Sequence, residues 1–488
     1  MSGQAPSVRP GAGNPGGAAG AGAGSSGVAS GAAAGAGGSG ASAPGSGGAP
    51  STAGSLSRRV VIEGLQNPWE ISWGPDQRLW VTERSGKRVV RVNVTDGSRV
   101  EALSIAEAHQ SSAQDGVLGM ALHPELLQGR GADFVYVAYT YQHSSAGETL
   151  RRAKIRRYTY DPASQKLGAA QDVLVGLPAS ADHNSGRLVL GPDAKLYYSV
   201  GDQGSNQFEL KCQPIRAQDL PSSAEVAAKD FSKYAGKILR LGLDGAVPED
   251  NPLLAGARSH VFSFGHRNAQ GLAFGPDGQL YASEQGPKSD DELNAISAGK
   301  NYGWPHVAGY RDDRGYVFGN WSAASSKPCN ELGFSDYTIP HEVPQQTESS
   351  WAGDFVPPLK TFYTVAGDHD FQDPACSGSD FICWPTIAPS SLAVYLGGAN
   401  GVPGWVPSLL VPSLKEGSVF RVPLGNGQKL GEASAELKTT NRYRDVAVHP
   451  DQRTFYVATD NQGLTAAPGG GATSELEDPG AILEFKAR

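Results

Sequence analysis

The stretch "LGPDAKLYYSVGD", residues 190–202, decides the fold. Gly-Pro-Asp suits the corner of a tight turn, because Pro presets φ, Asp bonds back to nearby backbone and Gly supplies freedom of φ. The residues after it are apolar and aromatic, as a strand requires. The phrase recurs along the chain. It stands as "WGPDQRLWVTER" at 73–84, "LHPELLQGRGADFVYVAY" at 122–139, "FGPDGQLYASEQG" at 274–286 and "VHPDQRTFYVATD" at 448–460. A hairpin repeated in this way predicts radial repetition of small sheets, an all-β propeller. The copies are unevenly spaced, and the stretch from Gly286 to Arg444 has room for blades without the signature. Blades of ~45 residues plus insertions predict six. Only "SSAEVAAKDFS", residues 222–232, reads as helix.

The chain has 488 residues, and its first part differs in kind. Residues 1–57 are mostly Gly, Ala, Ser and Pro, with no aromatic residue and almost no charge. Such a segment cannot bury enough apolar surface to offset the entropy of ordering it, so a disordered linker or tail is expected. The propeller domain is expected over 58–488. A tether of this composition suits an exported or lipid-anchored protein whose leader has been trimmed or missed. A low-complexity extension without function suits it equally.

The formal net charge of −8 advertises no basic face to nucleic acid or lipid headgroups. No run of about twenty apolar residues predicts a membrane span, and no apolar leader core is visible. There are four cysteines. Cys376 and Cys383 bracket "CSGSDFIC", a spacing that fits either a small disulfide ring or two unrelated thiols. Cys212 and Cys329 have no evident local partner, and their state stays open. No Cys/His cluster with zinc spacing occurs.

Polar clusters flank the predicted strands. They are "SAQDG" at 112–116, "ADHNSG" at 181–186, "GDQGSNQ" at 201–207, "GHRNAQG" at 265–271 and "SEQGPKSDDE" at 283–292. In a propeller the loops of one face gather around the central channel, so these clusters can converge. Singly, each has a plainer reading. Asp182–His183 is ordinary turn chemistry, "NRYRD" a surface charge pair and "SDDE" a solvated acidic turn. Their number on one kind of loop is what points to a site.

These residues, with "NYGWPHVAGYRDD" at 301–313, "ICWPTIAPSS" at 382–391, "LLVPSLKEG" at 409–417 and "NRYRDV" at 441–446, resemble the soluble quinoprotein glucose dehydrogenases. That family consists of six-bladed propellers using pyrroloquinoline quinone (PQQ) and calcium. The resemblance runs from about Val60 to the C-terminus. It implies that His183 is the catalytic base, oriented by Asp202, with Arg267 at the reaction centre and also among the cofactor contacts. It implies sugar contacts at Gln114, Asp182, Gln207 and Trp384. Further cofactor contacts fall on Asn268, Thr386, Lys415, Arg442 and Arg444. The cofactor's calcium falls on the Gly286 and Pro287 carbonyls. Outer calciums fall on Glu292 and Tyr302, and on Ala308, Tyr310, Asp312 and Glu348.

The family's short disulfide matches Cys376–Cys383 and implies an oxidising compartment, periplasmic or secreted. A homodimer and an external electron acceptor are also implied. Phe381 and Phe208 depart from the family's tyrosine and leucine, which bears on sugar preference. The chemistry agrees with these roles. PQQ carries three carboxylates, which call for cationic side chains, and Ca²⁺ takes oxygen ligands that include backbone carbonyls. The expected activity is oxidation of glucose or a related aldose at C1 to the lactone. A calcium-dependent lactonase would need carboxylates converging on one metal. A non-enzymatic binding propeller would have lost His183 or the arginines.

Overall fold

The computed structural model describes residues 56–488 apart from Ala146 and Asn400. The expected tail lies outside these residues, except that its last two positions, Leu56 and Ser57, open the strand Leu56–Ile62. The described residues form six four-stranded antiparallel sheets. The innermost strands of the first four are Pro68–Trp73, Val117–Leu122, Ser185–Leu190 and Ala269–Phe274. Those of the last two are Ala393–Tyr395 and Tyr443–Val448. Each packs against the innermost strand of both neighbours, which closes the ring of a six-bladed propeller.

The recurring turn explains the recurring phrase. Gly191 N donates to Lys195 O at 2.8 Å and Ala194 N to Gly191 O at 3.0 Å. The same pair of bonds joins Gly74, Gln77 and Arg78, and again Gly275, Gly278 and Gln279. The aspartate also caps the aromatic four residues on: Asp76 accepts Trp80 Nε1 at 3.0 Å and Asp193 accepts Tyr197 Oη at 3.0 Å. A Cβ on Gly74 would stand 2.4 Å from Trp80 Nε1, so the close packing of that ring requires glycine. Trp80, Tyr136, Tyr198 and Phe455 are fully buried between blades. Truncating any of them to Ala should cost about 3–5 kcal/mol.

The fifth blade lacks the signature. Its strands are Ala393–Tyr395, Ser408–Pro412, Val419–Pro423 and Ser434–Glu436. The sixth blade takes three strands from the end of the described chain and its outermost from the beginning. Leu56–Ile62 pairs with Ile482–Ala487. The one α-helix among the described residues, Ser223–Ala227, is held by a capping box between Ser222 and Glu225 and lies within the segment read as helical.

Candidate active site

A cavity of about 550 Å³ is lined by loops and inner-strand ends from several blades. Gln114, Asp182, His183, Gln207, Arg267, Gly286, Pro287, Trp384, Thr386, Lys415, Arg442 and Arg444 all line it. Positions spread over 330 residues of sequence are thus brought to one place.

His183 sits in the left-handed region, φ 43°, at the end of the loop that enters the strand Ser185–Leu190. Ser180 Oγ donates to Gln203 O at 2.8 Å, and Asn184 Nδ2 donates to Ser180 O and Gln114 O at 2.9 Å. These bonds fix the loop. The next strand returns Asp202 beside the imidazole, with Asp202 Oδ1 2.7 Å from His183 Nδ1. Gly201 makes that approach possible, since a Cβ there would meet His183 O at 1.9 Å. Asp202 lies behind the cavity wall, and its second oxygen accepts Trp304 Nε1 at 2.8 Å.

On the cavity side, His183 Nε2 lies 3.4 Å from Gln207 Nε2 and 3.8 Å from Asp182 Oδ2. Asp182 also accepts from Gln207 at 3.2 Å and from Gln114. A carboxylate held by two amides beside an accessible imidazole nitrogen is suited to the hydroxyls of a polyol.

Cations gather elsewhere on the same wall. Lys415 Nζ donates to Trp384 O at 2.5 Å, Thr386 Oγ1 at 2.7 Å and Phe381 O at 2.9 Å. Burial lowers its pKa to about 8, against the pull of Asp291 and Glu416. Arg444 engages Asp460 through two bonds of 2.9 and 2.8 Å. Arg442 reaches Asp460 less closely, at 3.4 Å, and donates to the Leu414 and Leu464 carbonyls. Burial works against the Asp460 charge, but Arg444, Arg442 and Arg84 outweigh it and hold that carboxyl below its ordinary range. One carboxylate therefore faces three guanidiniums, which leaves surplus positive charge. Arg267 lies over the Trp304 ring, and its Nε is buried without a hydrogen-bond partner among the described residues. Buried cationic groups with spare capacity fit a polyanion such as PQQ.

Asn268 does not line the cavity. It stands one layer behind, bonded to Ser185 N, Gln285 Oε1 and Gln114 Oε1 at 3.1, 3.0 and 3.3 Å. Gly286 and Pro287 do line it, and among the described residues neither carbonyl oxygen accepts a backbone hydrogen bond. Two uncommitted carbonyls fit a hard cation.

The outer sets are arranged differently. Glu348 accepts Ala308 N at 3.0 Å, Asp312 N at 3.2 Å and Asp313 N at 2.9 Å. Glu292 accepts Gly309 N at 2.7 Å and Asn294 Nδ2 at 2.8 Å. Tyr302 gives its hydroxyl to Ala295 O at 2.7 Å, while Tyr310 and Asp312 are exposed. In this arrangement the two glutamates order loops. No group of three or more metal-ligating side chains gathers among the described residues.

Among the lining residues to which sequence reading gave no role are Trp69, Gln270, Gln285 and Asp291. Asp291 accepts the backbone N–H groups of Gly286, Ile387 and Ala388 at 2.8, 2.6 and 2.7 Å, tying the two walls together. At the mouth stand Phe208, Tyr337 and Phe381, all exposed, with Tyr337 Oη donating to Asp380 at 2.5 Å. Both disulfides lie near this rim. Cys376–Cys383 forms as the family match implied, and Cys212 pairs with Cys329 across 117 residues.

The fold and site together define a propeller dehydrogenase: an oriented imidazole and a cation-lined wall share one central cavity. The chain belongs to the Glucose / Sorbosone dehydrogenase family, whose sequence model matches residues 65–327 and 364–465. It is 44% identical over 443 residues to quinoprotein glucose dehydrogenase B of Acinetobacter calcoaceticus, covering 90% of this chain and 92% of that one. It is 26% identical over 423 residues to an aldose sugar dehydrogenase of Escherichia coli, covering 84% and 91%. The PQQ-bound aldose sugar dehydrogenase of Streptomyces coelicolor superposes with a TM-score of 0.59 at 26% identity, over 89% of this chain and 98% of that one.

Proposed function

We propose that this chain is a PQQ- and calcium-dependent aldose dehydrogenase that oxidises C1 of glucose or a related sugar to the lactone. The observation that carries the reading is the shared cavity, with the His183–Asp202 pair on one side and Lys415, Arg267, Arg442 and Arg444 on the rest of its wall. When bound, PQQ supplies a quinone carbonyl able to accept the C1 hydrogen as hydride, and Ca²⁺ polarises that carbonyl.

The protein's own residues do the rest. Lys415 and the arginines hold carboxylates, and the Gly286 and Pro287 carbonyls hold the cation. Asp202 accepts a hydrogen bond from the N–H at His183 Nδ1, which leaves Nε2 as the acceptor facing the cavity. Nε2 takes the proton of the anomeric hydroxyl, and Asp202 stabilises the imidazolium that results. Gln114, Asp182 and Gln207 orient the sugar, and Trp384 lines its approach. An external acceptor carries electrons away. The two disulfides favour an oxidising compartment, periplasmic or extracellular.

The decisive experiment adds PQQ and Ca²⁺ to purified apo-protein and follows aldose-dependent bleaching of a redox dye. Activity only when both are present supports the reading. Full activity in a chelated, PQQ-free sample, or with NAD in place of PQQ, would sink it.

A further inference from the structure

Trp304 lies on the long connection between the strands Asp291–Ile296 and Lys360–Phe362 of the fourth blade, yet its indole acts on the loops beside the third. Its Nε1 donates to Asp202 Oδ2 at 2.8 Å, the one hydrogen bond that this oxygen makes among the described residues. Asp202 Oδ1 faces His183 Nδ1 at 2.7 Å and accepts Gly204 N at 3.0 Å. The face of the same indole carries the Arg267 guanidinium, whose Cζ lies 5.4 Å from the ring centroid. The only hydrogen bond of that guanidinium among the described residues runs from Nη1 to Gln285 O at 3.1 Å. The indole is itself anchored. Trp304 N donates to Gly265 O at 3.0 Å, Gln218 Nε2 donates to Trp304 O at 2.7 Å, and the ring packs with Ala217 and Ala308.

A buried carboxylate oxygen that loses its donor turns toward another or toward solvent, because leaving it unpaired is costly. Trp304 stands where that turn would begin. It lines a second cavity, of about 620 Å³, whereas Asp202 lines neither that cavity nor the first. The indole is therefore wall as well as donor. Arg267 lines both cavities, and the ring face gives its cation an attractive seat between them. A phenyl ring could fill this space and a leucine most of it, but neither could donate to Asp202.

We infer that Trp304 is a positioning residue shared by two parts of the site. Its N–H locks Asp202 against His183, and its face seats Arg267, so one ring sets both the imidazole and a cation expected to meet the cofactor. The role given to Arg267 rests on the quinone reading above. The lock on Asp202 and His183 exists in the cofactor-free protein and can be measured there.

The test uses full-length apo-protein carrying isotope-labelled histidine. With the imidazole neutral, nitrogen NMR reads which ring nitrogen of His183 holds the proton, and His183→Gln assigns the signal. The parent should hold it on Nδ1 and leave Nε2 bare. Trp304→Phe keeps an aromatic face and loses the donor, so a population with the proton on Nε2 should appear. Loss of a hydrogen bond to a charged group should also lower kcat about 10-fold or more, with KM for the sugar within about 2-fold of the parent's. Titration with PQQ reads the other half. Trp304→Phe should bind within about 3-fold of the parent, because phenyl still offers a face, while Trp304→Leu should raise Kd about 5-fold or more. An unchanged His183 tautomer in Trp304→Phe overturns the inference, and so does parental PQQ affinity in Trp304→Leu. If Trp304→Leu does not fold, the tautomer in Trp304→Phe decides alone. A parent that takes up no PQQ sinks the proposed function, and the tautomer still decides the lock on Asp202.

Discussion

His183 and Asp202 form a directional pair: Asp202 Oδ1 lies 2.7 Å from His183 Nδ1, while Asp202 Oδ2 is occupied by Trp304 Nε1 at 2.8 Å. The carboxylate is held at both oxygens, so the imidazole cannot turn its other nitrogen inward without losing a buried, charge-assisted bond. Orientation of the imidazole is thus set by a tryptophan from another blade's loop.

Two substitutions separate base from orienter. His183→Gln removes the basic nitrogen and should lower kcat by ~10²–10⁴ while PQQ titration and melting temperature stay near the parent's. Asp202→Asn keeps the shape but can donate where acceptance is needed, so kcat should also fall, with the pH–rate profile moved as well. Parental turnover in His183→Gln would reduce "ADHNSG" to turn chemistry.

The two arginines should behave differently. Arg444→Ala strips Asp460 of its two-pronged partner and leaves a buried carboxylate, so the loss appears mainly as stability, about 3–5 kcal/mol. Arg442→Ala removes a looser contact and should weaken PQQ binding by ~1.5–3 kcal/mol with a smaller change in melting temperature. Thermal melts and cofactor titrations on both variants check the split. Identical profiles for the two would contradict it.

Lys415 predicts a pH limb in cofactor affinity. Burial holds its pKa near 8 in the cofactor-free protein, so it is charged below that value and neutral above it. An anionic ligand favours the charged form, so affinity for PQQ should fall as pH rises through about 8. Above that pH, binding should take up close to one proton. Calorimetry in buffers of different ionisation enthalpy measures the uptake, and Lys415→Met should lose both the limb and the proton.

Removing the Cys212–Cys329 bridge should cost about 2–4 kcal/mol, since it closes a loop of 117 residues. The bridged segments carry Gln207 and Phe208 on one side and Tyr337 on the other, so KM for the sugar should rise more than kcat falls. Steady-state kinetics of Cys212→Ala with Cys329→Ala decide it. A stability loss with unchanged KM would confine the bridge to structure.

Much of this was legible in the sequence for a physical reason. Gly-Pro-Asp is demanded by a turn that recurs, and His183 and Asp202 sit on loops where polar residues stand out. The fifth blade was not legible, because its first hairpin between Tyr395 and Ser408 uses no such turn. Trp69 and Gln270 were missed because they lie on inner strands, where an aromatic or an amide reads as core or edge. The one available signal was Glu70 within "PWEISW" and Arg187 within "SGRLVL", two charges inside otherwise apolar strands that turn out to be partners. Cys212 and Cys329 could not be paired by eye, since only the fold brings them together.

The shared sixth blade sets a timetable. Ser57 Oγ bonds to Lys486 O, partners 429 positions apart. At roughly 5–20 residues per second, the ribosome needs on the order of 20–90 s between making one and the other. For that interval the outermost strand waits with an open edge while five blades can already assemble. A nascent chain is therefore open to strand exchange with a neighbour until Ile482–Ala487 has been made, and a chaperone that shields Leu56–Ile62 would have to act throughout that interval.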